Sequence, residues 1–391
     1  MSEKEYKEFK EFIGQKRKSS AEKIKTKYFK DKNQSENKEN GIIRLTYKLD
    51  RNLLKVNKSL SLFGEDFVKT NKDKANMIIE GKKHEIISKI FLGEFEKYGI
   101  NTEDEILKVI FKGELITDMG YMFWYCECLI NVDFSSFNTE NITNMPPMLK
   151  GCKRLVQLDL SSFKTENVTD FSCIFSGCEG LIKLDLSSFD TQNAKNMSYM
   201  LCDCKNLIKV DLSSFKTNNL TNMTGMFYGC KSLSKIDISL FNTENVTNFS
   251  SLFYDCKKII KLDLSTFNTK NANNLSNMFY GCKNLIKVDL SSFITQNVVN
   301  MLCMFYGCKN LIKLDLSSFD TQNVNDVADM FSGCNSLTKV DLSSFDTQNI
   351  IAVYDDMFLN CPSVIKIKRK KFHKVTRNIE IEKSKIFVIE I

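Results

Sequence analysis

Proline is scarce in this 391-residue chain, at three residues, and glycine stands at only 16. Long Pro- or Gly-rich linkers and collagen-like structure are thereby disfavoured. Histidine occurs twice, at His84 and His373, which leaves the middle of the chain without the commonest acid–base group and zinc ligand. No Gly-rich phosphate loop, H-E-x-x-H, G-x-S-x-G or kinase signature is present. No run approaches 18 apolar residues, so no membrane span is expected. The charged start Met1-Ser2-Glu3-Lys4-Glu5 has no apolar core, and no secretory signal is expected.

What is present is a beat. Leu-Asp-Leu-Ser-Ser-Phe recurs every 26 residues, with Phe137, Phe163, Phe189, Phe215, Phe241, Phe267, Phe293, Phe319 and Phe345 in step. Cysteines keep the same period at 126, 152, 178, 204, 230, 256, 282, 308 and 334, and then Cys361 follows after 27 residues. A fixed period of this size marks a solenoid, in which each unit buries its apolar face against its neighbours. Such a chain builds an elongated surface rather than a pocket. With 42% hydrophobic residues, it is folded rather than disordered.

Four regions are expected. Residues 1–40 are basic and Lys-, Glu- and Ser-rich, with Tyr6, Phe9, Phe12 and Ile13 at the spacing of a short amphipathic helix. Residues 41–100 contain alternating runs such as IIRLTYKL and read as a small α/β cap. Residues 101–361 are the solenoid, with a degenerate first coil ending at Cys126. Residues 362–391 are a basic β cap. The net charge of +7 sits on the two ends, and the array is close to neutral. The ends read either as solubilising tails or, through Lys366, Lys368, Arg369, Lys370 and Lys371, as a contact for an acidic partner.

One unit, residues 181–206, shows the logic. Leu181, Leu184 and Leu186 form a short strand with one apolar side. Phe189 fills the turn. Ala194, Met197, Met200, Leu201 and Cys204 recur at near-helical spacing, so a short outer helix is expected. The fold class is therefore an α/β repeat, a leucine-rich-repeat-like solenoid of about ten strand–helix coils with an N-terminal α/β cap and a C-terminal β cap.

The consensus L-D-L-S-S-F-x-T-x-N-V-x-N-M-x-x-M-F-x-G-C resembles the 26-residue repeat of the BspA-like leucine-rich class. That class is familiar from bacterial surface proteins and from large protist families. The leader runs LSLFGEDFVKTNK and MIIEGKKHEI are similar to those of protist members without export signals. The resemblance implies a leucine-rich solenoid with a binding or adhesive role.

Stacked rows carry the candidate functions. The Asn141-to-Asn349 row, with a Thr two residues earlier in each unit, is expected to be a buried ladder that satisfies the backbone of adjacent turns. The cysteine row fits packed core thiols better than a metal site, because zinc needs ligands clustered from several turns. No cofactor or metal is expected. Lys183, Asp185, Lys209, Asp211, Lys235, Asp237, Lys261, Asp263, Lys287 and Asp289 lie on the exposed side of the strands. They make either a solvated zwitterionic sheet or a flat face for an extended partner. Tyr228, Tyr254, Tyr280 and Tyr306 occupy one position in four successive units, and Trp124 occupies it near the start. Interfaces favour such residues, but packing between turns is the alternative.

Aspartates abound only as a periodic row, whereas acid–base pairs need environments that split two pKa values. The expectation is a non-enzymatic scaffold that binds protein partners, with no nucleic acid and no membrane span, as a monomer. Alternatives are a cell-surface adhesin or a filament-associated repeat protein. Fourteen cysteines without an export signal, and Asn-x-Ser/Thr sites on the ladder, point to the cytoplasm. A cell surface reached by an unconventional route is the alternative.

Overall fold

The computed structural model describes residues 41–101, 103–113, 115–345, 357–362, 364–369 and 387–388. The short N-terminal helix, the one-residue insertion before Cys361 and Lys370–Lys371 lie outside the described residues.

The chain is a leucine-rich-repeat-like solenoid with short strands, entered through a mixed α/β module. That module holds β1 (Ile42–Lys48), α1 (Arg51–Asn57), β2 (Ser59–Ser61), α2 (Glu65–Asn71), β3 (Ala75–Ile79), β4 (Lys82–Glu85) and β5 (Lys89–Phe91), then a 3-10 turn at Leu92–Tyr98 and β6 (Ile106–Gly113). Asp50 caps α1 by accepting from the Asn52 and Leu53 N–H groups, and Lys58 ends it with a left-handed residue.

The repeat strands begin with β7 (Leu129–Ser136) and β8 (Gln157–Asp159). Strand β1 lies between β6 and β7, antiparallel to both, while β7 pairs parallel with β8. One six-stranded sheet, β4-β3-β6-β1-β7-β8, therefore runs from the cap into the array. Inserting β1 gives the first parallel strand a partner for the edge it would otherwise expose. Phe63, Phe67, Phe111 and Phe123 pack with ring centroids 5.7–6.2 Å apart and seal the end of the core. The expected first coil is consequently a hybrid. Its strand, β6, belongs to the antiparallel cap sheet, whereas its later half stacks on the array, with Met119 N–H donating to Asn144 and Phe123 N–H to Met148.

The strands of the following coils are short: β9 (Lys183–Asp185), β10 (Lys209–Asp211), β11 (Lys261–Asp263), β12 (Lys287–Asp289), β13 (Lys313–Asp315) and β14 (Lys339–Leu342). They pair parallel and in exact repeat register, Lys on Lys and Asp on Asp. Beyond them β15 (Val364–Arg369) continues the sheet in parallel with β14, and β16 (Phe387–Val388) pairs with β15. The core is one continuous slab of Leu, Phe, Met, Val and Cys.

The outer helix expected in each coil is absent among the described residues of the array. In its place is a ribbon of consecutive turns. The N–H groups of Met200, Cys202 and Cys204 donate to the carbonyls of Met197, Tyr199 and Leu201, three residues back. The intervening N–H groups of Met197, Tyr199, Leu201 and Asp203 donate instead to Asn222, Thr224, Met226 and Tyr228 of the next coil, at 2.6–3.0 Å. Two residues in this coil, Tyr199 and Asp203, are left-handed, both at φ 53°. Among the described coils from Met119 to Gly333, only the coil of Pro147 and Gly151 has one instead of two. Left-handed residues end an α-helix and suit the third position of tight turns. The side chains at 197, 200, 201 and 204 still point inward and are fully buried, which is why the spacing imitates a helix.

Candidate interaction surface

Each invariant polar residue of the repeat has a hydrogen-bonding task. Thr191, fully buried, accepts from the Lys216 N–H at 2.8 Å and donates to the Lys216 carbonyl at 3.0 Å. Thr243 holds Asn268 in the same two-way clamp, and Thr269 holds Ile294. Ser188 and Ser214 hydroxyls donate to the carbonyls of Leu160 and Leu186. The asparagine row reaches the other way. Asn193, Asn219 and Asn245 donate from Nδ2 to the carbonyls of Glu166, Gln192 and Asn218 at 2.8 Å.

The asparagines from Asn141 to Asn323 are exposed, not buried, and Thr347 and Asn349 lie outside the described residues. The threonine two residues earlier is the buried member, because its short side chain fits between coils while the longer amide can bridge along the rim.

The cysteine row is structural. Cys204, Cys230, Cys256 and Cys282 donate their thiols to the carbonyls of Phe175, Leu201, Phe227 and Phe253 at 3.1–3.2 Å. Burial pushes these thiols well up, with Cys282 at about 12. They are poor nucleophiles and engaged donors.

The Lys and Asp rows share the exposed strand side, but they differ in what they do. Asp185 accepts the Ser187 N–H, and Asp211, Asp237, Asp263 and Asp289 accept both the N–H and the hydroxyl of the Ser two residues on. These bonds hold all five carboxyls below the usual range. The aspartates thus shape the turn that ends each strand. Lys183, Lys209, Lys235, Lys261 and Lys287 are exposed, and Lys209 and Lys287 help hold down the carboxyls of the aspartates beside them.

The aromatic candidates divide into two places. Tyr228, Tyr254, Tyr280 and Tyr306 stack face to face, with centroids 4.3, 4.4 and 4.6 Å apart and planes within 8°. Their rings cover one another and remain half-buried, and the hydroxyls of Tyr228, Tyr254 and Tyr280 hydrogen-bond along the stack. Burial, reinforced by the flanking rings, pushes Tyr280 up to about 12. Trp124 does not join this stack, because Lys150, Ser176 and Cys202 occupy its position in the coils between. It is 42% exposed and makes edge contacts with Tyr121 and Tyr125 at 6.1 and 4.9 Å.

A further row was not singled out from the sequence. Ile208, Ile260, Ile286 and Ile312 are 36–43% exposed where the chain turns into each strand. Their signal was an apolar residue beside the inward leucine, a position the leucine pattern leaves open.

One family model matches three times, over residues 95–210, 175–287 and 274–382, and so runs through the whole array. The chain belongs to the family described as Mycoplasma protein of unknown function, DUF285. The DUF285 matches overlap because the repeat is periodic. No curated protein matches the chain. Among solved structures, a chain of the crystal structure of a TLR13–ssRNA13 complex is similar at 15% identity and a TM-score of 0.23, covering 65% of this chain. This DUF285 chain spans 39% of the length of that one. A Leptospira interrogans LRR protein is similar at 15% identity and a TM-score of 0.21, with 65% of this chain and 71% of that chain covered.

Proposed function

We propose that the chain is a non-enzymatic protein-interaction scaffold, acting in the cytoplasm as a monomer. One observation carries this reading. The recurrent Thr, Ser, Asn, Asp and Cys rows are engaged in backbone hydrogen bonds, so the outward Lys, Ile and Tyr rows are what the coils that carry them have left for recognition. Repeated rows at one strand spacing suit an elongated macromolecular partner better than a small molecule. Among the described residues no helix is long and apolar enough to cross a membrane.

Affinity capture from native lysate with the full chain tests the reading. A specific protein should be retained and then lost when Lys209, Lys235 and Lys261 are changed to Glu or the four tyrosines to Ser. Capture of no competable protein, or retention unchanged by either set, overturns it. The BspA-like resemblance supports a second reading as an adhesin. Protease treatment of intact cells separates the two, since an adhesin is degraded and a cytoplasmic scaffold survives.

A further inference from the structure

Around the isoleucine row the charges are not balanced. After Cys204, Cys282 and Cys308 the turn that follows the core cysteine runs Lys-x-Leu-Ile-Lys, as in Lys283 to Lys287 and Lys309 to Lys313. In these last two the leucine is buried, while both lysines and the isoleucine are exposed. Nearer the N-terminus the lysine at the first position is neutralised, Lys205 by Glu179 and Lys257 by Asp255. In the next two coils the position of Asp255 is held by Gly281 and Gly307, and that of Glu179 by the lysines themselves. On the strand side Lys287 lies by Asp263 and Asp289 and, beside the serine bonds, helps hold their carboxyls down. Asp289 and Asp315 also bond the turn N–H groups of Ser291 and Ser317. Lys283 and Lys309 have no ion pair of the Lys205 or Lys257 kind among the described residues. The result is an apolar ridge, Ile286 and Ile312, lined on each side by cations.

Resting on the scaffold reading, we propose that this strip, centred on Ile286 and Ile312 between Lys283, Lys287, Lys309 and Lys313, docks an acidic amphipathic helix of a partner protein. Charge complementarity requires acids on both sides of an apolar stripe, which is one face of such a helix. Spacing decides the conformation. Coils repeat at about 4.8 Å, the distance between adjacent strands. Apolar residues three and four apart on a helix are separated by about 4.5–6 Å along its axis, whereas same-face residues of an extended chain are about 6.7 Å apart. A helix lying along the solenoid keeps step with the ridge for several coils, and a strand drifts out of step within two. The isoleucines lie flush, less than half exposed, which suits a packed protein face better than insertion into a lipid layer.

The chain itself supplies tolerated substitutions. The isoleucine position holds Ser234 in another coil, and the first lysine position holds Glu179. Ile286→Ser with Ile312→Ser, and Lys283→Glu with Lys309→Glu, should therefore leave the full chain folded, which circular dichroism and melting check. The probe is a labelled synthetic peptide of about five helical turns, with a leucine stripe flanked on both sides by glutamate. A scrambled peptide of the same composition, poly-glutamate, a DNA duplex and phosphatidylserine vesicles serve as competitors. The helix should bind in a salt-sensitive manner, and each double variant should weaken it roughly ten-fold or more. Equal binding of the scrambled peptide, stronger binding of any other competitor, or insensitivity to both variants overturns the proposal. If the helix fails while lysate capture survives these variants, the strip assignment falls and the scaffold reading stands. If capture itself fails, it is the scaffold reading that falls.

Discussion

The two long faces of each coil hold the array together very differently. On the turn face of each of the six coils from Phe171 to Gly307, four successive alternate N–H groups, such as those of Met197 to Asp203, cross to the next coil. On the strand face the middle coils pair only through three-residue strands, β9 with β10 and β11 with β12, and the coil at Lys235 to Asp237 carries no strand. Cohesion between coils therefore lies mainly on the turn face and in the buried Thr and Cys rows. The strand side and its entry edge can carry exposed lysines and isoleucines because little of the stacking depends on them. A leucine-rich pattern suggests the opposite emphasis, since it is the strand that the leucines announce.

Four measurements can break or sharpen this contrast. Thr243→Val should have the largest effect, about 3 kcal/mol in urea unfolding, because it orphans both the N–H and the carbonyl of buried-side Asn268. Asn245→Ala, which loses one exposed amide bond to the Asn218 carbonyl, should cost about 1 kcal/mol. Lys261→Ala on the strand face should change stability by no more than about 0.5 kcal/mol. If the lysine variant proves as damaging as the threonine one, the division between faces is wrong.

The fourth measurement follows the thiols through alkaline pH. Their folded-state values are raised above the ordinary 9.0 by burial. A group so raised contributes stability fully present below the unfolded value and lost as pH rises through the folded one. The melting temperature should hold steady up to about pH 9 and fall above it. In the same samples a thiol reagent should label the partly exposed Cys173 and Cys303 well before Cys204 to Cys334. Simultaneous labelling of all would show that the coils open far more readily than their hydrogen bonding implies.

Reading residues in rows carried much of the fold but misjudged the turn side. Met197, Met200, Leu201 and Cys204 repeat as a helix does, and burial alone does not distinguish a helix from turns that present the same side chains inward. The distinguishing signal lay one position before the cysteine, where Gly151, Gly177, Asp203, Gly229, Asp255, Gly281, Gly307 and Gly333 follow a first coil with Tyr125 and precede Asn360. Apart from Tyr125, these are residues that accept positive φ. At Gly229 a Cβ would stand 2.5 Å from the Asp203 carboxylate of the preceding coil, so the alternation of Gly and Asp there is also a packing code between neighbours. The candidate surface was legible in part. The lysine and tyrosine rows stood out by identity, whereas the exposure of Ile286 and Ile312 depends on how the turn rotates out of the core.

The sequence by itself determined the period, the inward rows and therefore the solenoid, because a 26-residue unit has no other way to bury its apolar side chains than against a copy of itself. Only the tertiary structure decided which atoms join the coils, that β1 closes the edge of the first parallel strand, and which of the repeated residues remain free. Those outcomes depend on hydrogen bonds between residues 25 to 29 apart in the coils and on still longer-range pairing such as Ile42 with Ser136. Such bonds exist only once the chain is folded.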